Sequence, residues 1–236
     1  MTDRKTRHPG GGSGATAASE RQGGDATVSI PPVARKPDRR AARHEARRQS
    51  IVTQSWVLAE RDGLGAISMR DLAERVDLRQ PSLYAYFDSK SALYDAMFAD
   101  ANRQLLATVR QLPDLDNPRA ALVQFVETCV RFSSRNIVRH QLMFDRTIPG
   151  FEPSEQAFRP ALEFYQIAVL RLGAAGASRQ EDVDVFSSLV SGLSHQQVAN
   201  DPGGDRWVAH APRVVDMLLA DIDRRRGDDR PGRSAS

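Results

Sequence analysis

Apolar residues recur at three- and four-residue steps from about residue 39 onward, and no segment alternates strictly, so the pattern predicts helices and no strands. A first helix runs from about Asp38 or Arg39 to Arg61, with Ile51, Ser55, Leu58 and Ala59 on one face, and Asp62-Gly63 ends it. Ser68 can cap a second, short helix whose buried stripe is Leu72, Ala73 and Val76. Asp71 three residues on gives capping-box spacing, with Asp in place of Glu. Asp77 falls in the next turn, where the chain needs a left-handed residue. Pro81 suits the first turn of a third helix carrying Gln80 to Phe87, with Leu83 and Phe87 inward.

The segment Asp88-Ser89-Lys90 opens a long helix marked by Leu93, Met97, Ala101, Leu105, Val109 and Leu112. Pro113 and Asn117-Pro118 break it, and Asn117 caps the next, with Leu122, Phe125, Val126, Cys129 and Phe132 inward. A short helix is expected from Ile137 to Asp145, and another from about Ser154 to Leu172 with Phe158, Leu162, Tyr165 and Val169 inward. Ser178 and Glu181 have capping-box spacing before a helix through about Val198. The turn Asp201-Pro202-Gly203-Gly204 precedes a last helix with Ala211, Val214, Val215, Leu218 and Ile222, which Pro212 either kinks or starts.

The expected fold is therefore all-α. It divides into a basic disordered arm (residues 1–38), a three-helix helix-turn-helix DNA-binding domain (39–94), a larger helical bundle for ligand binding and dimerisation (95–226) and a disordered tail (227–236). Composition sharpens this picture. The aromatic content of 6% calls for an aliphatic, Ala-rich core. A single cysteine, Cys129, excludes a disulfide framework and a multi-cysteine zinc site. No signal-peptide core or membrane-length apolar run is visible, so a cytoplasmic protein with no membrane partner is expected. The net charge of +3 is unevenly placed, with +6 in residues 1–50 and −3 in the rest. Basic charge just ahead of the helix-turn-helix favours phosphate, and Arg39, Arg40, Arg43, Arg47 and Arg48 are the residues placed to approach DNA.

Two short helices joined by a tight turn suit insertion into a major groove, and Gln80, Pro81 and Ser82 sit on the exposed opening turn of the second. The five histidines, at positions 8, 44, 140, 195 and 210, show no metal-ligand spacing. No phosphate loop or nucleophile elbow appears either, so neither an enzyme nor a metal or other cofactor is expected. His195, within His195-Gln196-Gln197, reads as a satisfied interface histidine.

The elements Ile51-Val52, Gly63, Ser68, Leu72-Ala73, Leu83-Tyr84, Phe87 and Lys90 with Leu93 resemble the N-terminal domain of the TetR family of bacterial transcriptional regulators, most closely at Arg79 to Tyr84. The resemblance covers about a fifth of the chain, and Asp77 and Arg79 depart from it, standing where the family usually has Gly and a small capping residue. It implies that Ser68 and Lys90 clamp phosphates and that Arg70 reaches a guanine. It also implies that Tyr84 and Tyr86 bond phosphates through their hydroxyls. Arg79 adds a direct DNA contact of this chain's own.

One recognition helix reads only a few base pairs, so a homodimer on a palindrome is expected, joined through the last two helices. Ser187, Ser188, Ser191, Gly192 and Ser194 would let those helices approach, with Val183, Phe186, Val190 and Leu193 adding apolar area. The resemblance further implies a cavity for an unknown small-molecule effector, with Phe125, Cys129, Phe132, His140, Met143, Phe144 and Tyr165 as candidates, beside Phe164 and Gln166. The expected function is a repressor that binds double-stranded DNA and is released by an effector. The alternative is an effector-independent activator or architectural DNA-binding protein.

Overall fold

A computed structural model describes residues 39–228, and the expectations for 1–38 and 229–236 lie outside them. Among the described residues every regular element is helical: α1 (Arg39–Asp62), α2 (Met69–Arg75), α3 (Gln80–Tyr84), α4 (Lys90–Arg110), α5 (Pro118–Arg135), α6 (Ile137–Phe144), α7 (Glu155–Ala174), α8 (Gln180–Asn200) and α9 (Ala211–Asp228). None of these helices is long and apolar enough to cross a membrane.

The helix starts follow local chemistry. Ser68, Ser89, Asn117 and Ser154 each accept the backbone N–H three residues on, at 3.0–3.3 Å, satisfying an orphan donor of α2, α4, α5 and α7. Asp77 takes φ 53° in the turn between α2 and α3. Pro212 lies in the opening turn of α9, where its missing N–H is harmless.

Two cores result. The first gathers Ile51, Trp56, Leu72, Leu83, Phe87, Leu93 and Met97 and reaches Ala101, while the second runs from Leu105 through Phe125, Leu172 and Phe186 to Ile222. Helix α4 contributes to both, so one continuous helix joins the helix-turn-helix to the bundle.

Two expected faces differ from what packing produced. On α7, Phe158, Leu162, Tyr165 and Val169 are exposed, while Ala157, Ala168 and Leu172 are buried. The bulky stripe lost to its alanine-rich neighbour because small side chains let α7 lie close against α4, and close packing rewards that approach. On α8, Val183, Phe186, Leu193 and Ser194 face the subunit's own core rather than an outer surface, leaving Val185, Ser188 and Gly192 exposed.

The start of α8 also departs from the Ser178–Glu181 expectation. Its N-cap is Arg179, and Asp182 organises the turn. The Asp182 carboxylate, 2% exposed, accepts the N–H groups of Ser178 (3.2 Å) and Arg179 (3.3 Å), and Arg225 of α9 donates to it at 2.5 Å. Burial pushes this carboxyl's pKa up, but the Arg225 guanidinium and the two amides outweigh it and hold the pKa below the ordinary value. A depressed carboxyl contributes stability above its unfolded pKa, near about 3.9, and loses that contribution as pH falls through the folded value. Asp182→Asn is therefore expected to cost about 2 kcal/mol at neutral pH and to flatten the loss of stability below about pH 4. Melting curves followed by circular dichroism across pH check both.

Candidate nucleic-acid interface and ligand cavity

The surface of the first core is set by which side of α3 it buries. Leu83 (0% exposed) and Phe87 (1%) plug the core, so Arg79, Gln80, Pro81, Ser82 and Tyr84 stand outward as one ridge. Tyr84 is 42% exposed. Such a ridge, built on a single short helix and carrying amide, ring and hydroxyl groups, fits a groove and offers hydrogen-bonding ends to base edges.

The flanking candidates are held by the protein itself. Ser68 spends one lone pair capping α2. Lys90 Nζ donates to the Gly65 carbonyl at 3.0 Å and lies 5.5 Å from the Tyr94 ring centroid, keeping further ammonium donors for another acceptor. Arg70 pairs with Glu74 at 3.2 Å, but both are well exposed, so a phosphate or base could take over the guanidinium at small cost. Tyr86 is half-buried, its ring stacked on His44 at 4.7 Å. Arg47 is half-buried too, and its guanidinium donates to the Val76 carbonyl, bracing α1 against the end of α2. Arg39, Arg40 and Arg43, on the opening turns of α1, are exposed.

The second core encloses a cavity of about 280 Å³ between α4, α5, α6, α7 and α8. Its wall includes Phe125, Cys129, His140, Phe144, Phe164 and Tyr165, with Ser133, Ser191 and Ser194 as polar points. Phe132, Met143 and Gln166 lie outside that wall; Phe132 instead lines a separate groove with Leu112 and Thr128. Cys129 is fully enclosed and burial pushes its thiol pKa up, so it presents an unreactive apolar surface.

Two helices connect this cavity to the helix-turn-helix module. Leu105 of α4 lines the cavity, and five residues earlier the buried Asp100 accepts hydrogen bonds from Trp56 Nε1 (2.9 Å) and Gln49 (2.8 Å) of α1. His140 of α6 lines the cavity, and its neighbour Arg139 lies 4.5 Å over the Trp56 ring and pairs with Glu60 at 3.1 Å.

Residues 51–97 match the sequence profile of the bacterial regulatory proteins of the tetR family. The chain carries a TetR-family DNA-binding domain. Its architecture agrees with solved members: a TetR-family transcriptional regulator, PfmR, from Thermus thermophilus superposes with a TM-score of 0.54 at 21% identity, over 72% of this chain and 97% of that one. A TetR variant from Acinetobacter baumannii AYE, in complex with minocycline, superposes with a TM-score of 0.52 at 22% identity, over 75% and 97%. In sequence, the nucleoid occlusion factor SlmA of Glaesserella parasuis serovar 5 (strain SH0165) is 23% identical over 148 residues, 58% of this chain and 72% of that protein. Residues 51–97 are thus similar to the N-terminal domain of the tetR-family regulators, and the fold beyond them agrees with that of solved structures from the family.

The TetR-family match stops at residue 97, and the most unusual side-chain cluster lies beyond it. His195 of α8 and Asp145, at the end of α6, meet at 2.7 Å, and His140 Nε2 lies 3.9 Å from the same carboxylate oxygen. His140 is 1% exposed, and neither ring nitrogen has a hydrogen-bond partner in the protein. Burial lowers its pKa, against the opposing pull of Asp145, and so disfavours the charged ring. The Ser191 carbonyl, 2.8 Å from His195 Nδ1, acts with Asp145 to raise the pKa of His195 against desolvation. No linear spacing announces this group, because α6 and α8 lie far apart along the chain.

Proposed function

We propose that the chain is a homodimeric repressor that binds a palindromic operator and is released by a small-molecule effector, with residues 39–94 binding DNA and 95–226 regulating. The observation that carries this reading is the exposed ridge Arg79 to Tyr84 standing on the buried Leu83 and Phe87. Arg79, Gln80, Pro81 and Ser82 address base edges, with Arg70 reaching a guanine once released from Glu74. Ser68, Tyr84, Tyr86, Lys90 and Arg47 hold the phosphates on either side. Pairing through α8 and α9 uses what the subunit leaves outside: Val185, Ser188 and Gly192 on α8 and Met217 on α9. The two-fold axis then sets both ridges one helical turn apart, roughly 34 Å.

A lipophilic or planar effector fits the cavity, entering past Phe144 and Tyr165, which are 47% and 38% exposed, and resting on Phe125, Cys129 and His140. The minocycline held by the Acinetobacter relative supports a small-molecule effector for this fold. Release acts as a population shift: an effector that prefers one setting of α4 and α6 moves α1 through Asp100 and Arg139 and misplaces the ridges.

Selection of bound DNA from a random pool tests the reading. Palindromes with half-sites about one helical turn apart are expected, and an enriched single half-site or no enrichment would defeat it. A Cβ at Gly192 would meet open space within the subunit, so Gly192→Glu should leave the fold intact while shifting the sedimentation coefficient to that of a monomer. An unchanged coefficient would place the dimer contact elsewhere.

A further inference from the structure

We propose that His140, Asp145 and His195 form a binding site for a divalent transition-metal ion of the zinc class at the polar edge of the cavity. Three donor atoms, one from each residue, lie within 4.8 Å of one another. Tetrahedral coordination with bonds of about 2.1 Å separates ligand atoms by about 3.4 Å. The observed separations of 2.7 Å and 3.9 Å to the shared Asp145 oxygen straddle that value, so small side-chain rotations suffice.

The independent observation is His140. A buried imidazole with both nitrogens unpartnered is costly, because buried polar groups ordinarily find a hydrogen bond. One of its nitrogens already faces the Asp145–His195 pair, and a metal ion would satisfy it. Outer contacts agree. The Ser191 oxygen is a carbonyl and only accepts, so His195 Nδ1 must carry the proton toward it, which turns Nε2 to Asp145 and to the proposed ion. Bonding the far ring N–H to a backbone carbonyl is how metal-ligating histidines are commonly oriented. Two imidazoles with one carboxylate select zinc, cobalt, nickel or ferrous iron over magnesium or calcium, which prefer all-oxygen shells.

Three protein ligands leave a coordination position open. His140 belongs to the cavity wall, so that position would favour a cavity ligand with an oxygen or nitrogen donor at its edge. This last consequence rests on the effector reading above; the metal site does not.

The test uses the full chain, stripped with a chelator and titrated with Co2+ as a spectroscopic stand-in for zinc. One equivalent per chain is expected, with the intense visible bands of low-coordinate cobalt. His195→Ala and Asp145→Ala, at incompletely buried positions, should each weaken binding roughly tenfold or more while keeping the helical circular dichroism of the parent. The double variant His44→Ala/His210→Ala should bind as the parent does. Absent bands, binding untouched by His195→Ala, or binding lost in the His44/His210 variant would each overturn the site and leave His195–Asp145 as a hydrogen-bonded pair only. Those outcomes leave the DNA-selection experiment unaffected, so the two readings fail separately.

Discussion

Replacing Gln80 and Ser82 together by alanine is expected to abolish selective operator binding while leaving the fold intact. Both residues are exposed on the first turn of α3, so their removal should change stability by no more than about 0.5 kcal/mol. A lost base contact costs about 1–3 kcal/mol, and a dimer loses each of the two contacts twice, at least about 4 kcal/mol in all, so affinity for a selected palindrome should fall by about a thousand-fold or more. Non-specific binding should persist with an unchanged salt slope, because the phosphate contacts remain. Fluorescence anisotropy on selected and scrambled duplexes at two salt concentrations separates these effects. Unchanged discrimination would remove base reading from α3. Leu83→Ala is the contrasting case: it is fully buried, and its loss costs about 2–5 kcal/mol of stability, so it would disable the module by loosening it.

The second large effect is expected at Asp100. This carboxylate, on a residue 5% exposed, accepts hydrogen bonds from Gln49, Trp56 and Gln104, the last at 2.8 Å. Asp100→Ala strands the indole N–H of Trp56, itself 2% exposed, and a buried donor left without a partner costs about 1–3 kcal/mol. Gln49 and Gln104 are less enclosed and can turn to water, so the total should be about 3 kcal/mol, with Asp100→Asn costing less because one acceptor oxygen remains. Urea unfolding should show a lower midpoint at an unchanged slope. Because Asp100 pins α1 to α4 between the cavity and the recognition ridge, effector response should weaken beyond what the stability loss explains. A midpoint shift equal to that of an exposed substitution would mean that the carboxylate holds nothing.

Helix ends were legible in the chain because capping is decided within four residues. Ser68, Ser89, Asn117 and Ser154 needed no distant partner, and neither did the left-handed turn at Asp77. The outward ridge on α3 was equally local, since Leu83 within the helix and Phe87 just past its end fix which side is hidden. The all-α fold and the helix-turn-helix module thus belong to the sequence alone.

Tertiary packing decided the rest. On α7 two neighbouring stripes were each apolar enough to face inward, and only the fit of alanines against α4 chose between them, sending Phe158 and Leu162 outward. Arg47 reads as a free cation until the end of α2 arrives to bond it. The start of α8 belongs to Asp182 because α9 brings Arg225 beside it, an ally that no local rule foresees. His140, Asp145 and His195 share a site for the same reason: helix spacing encodes a residue's own face, whereas the meeting of two faces depends on how whole helices cross.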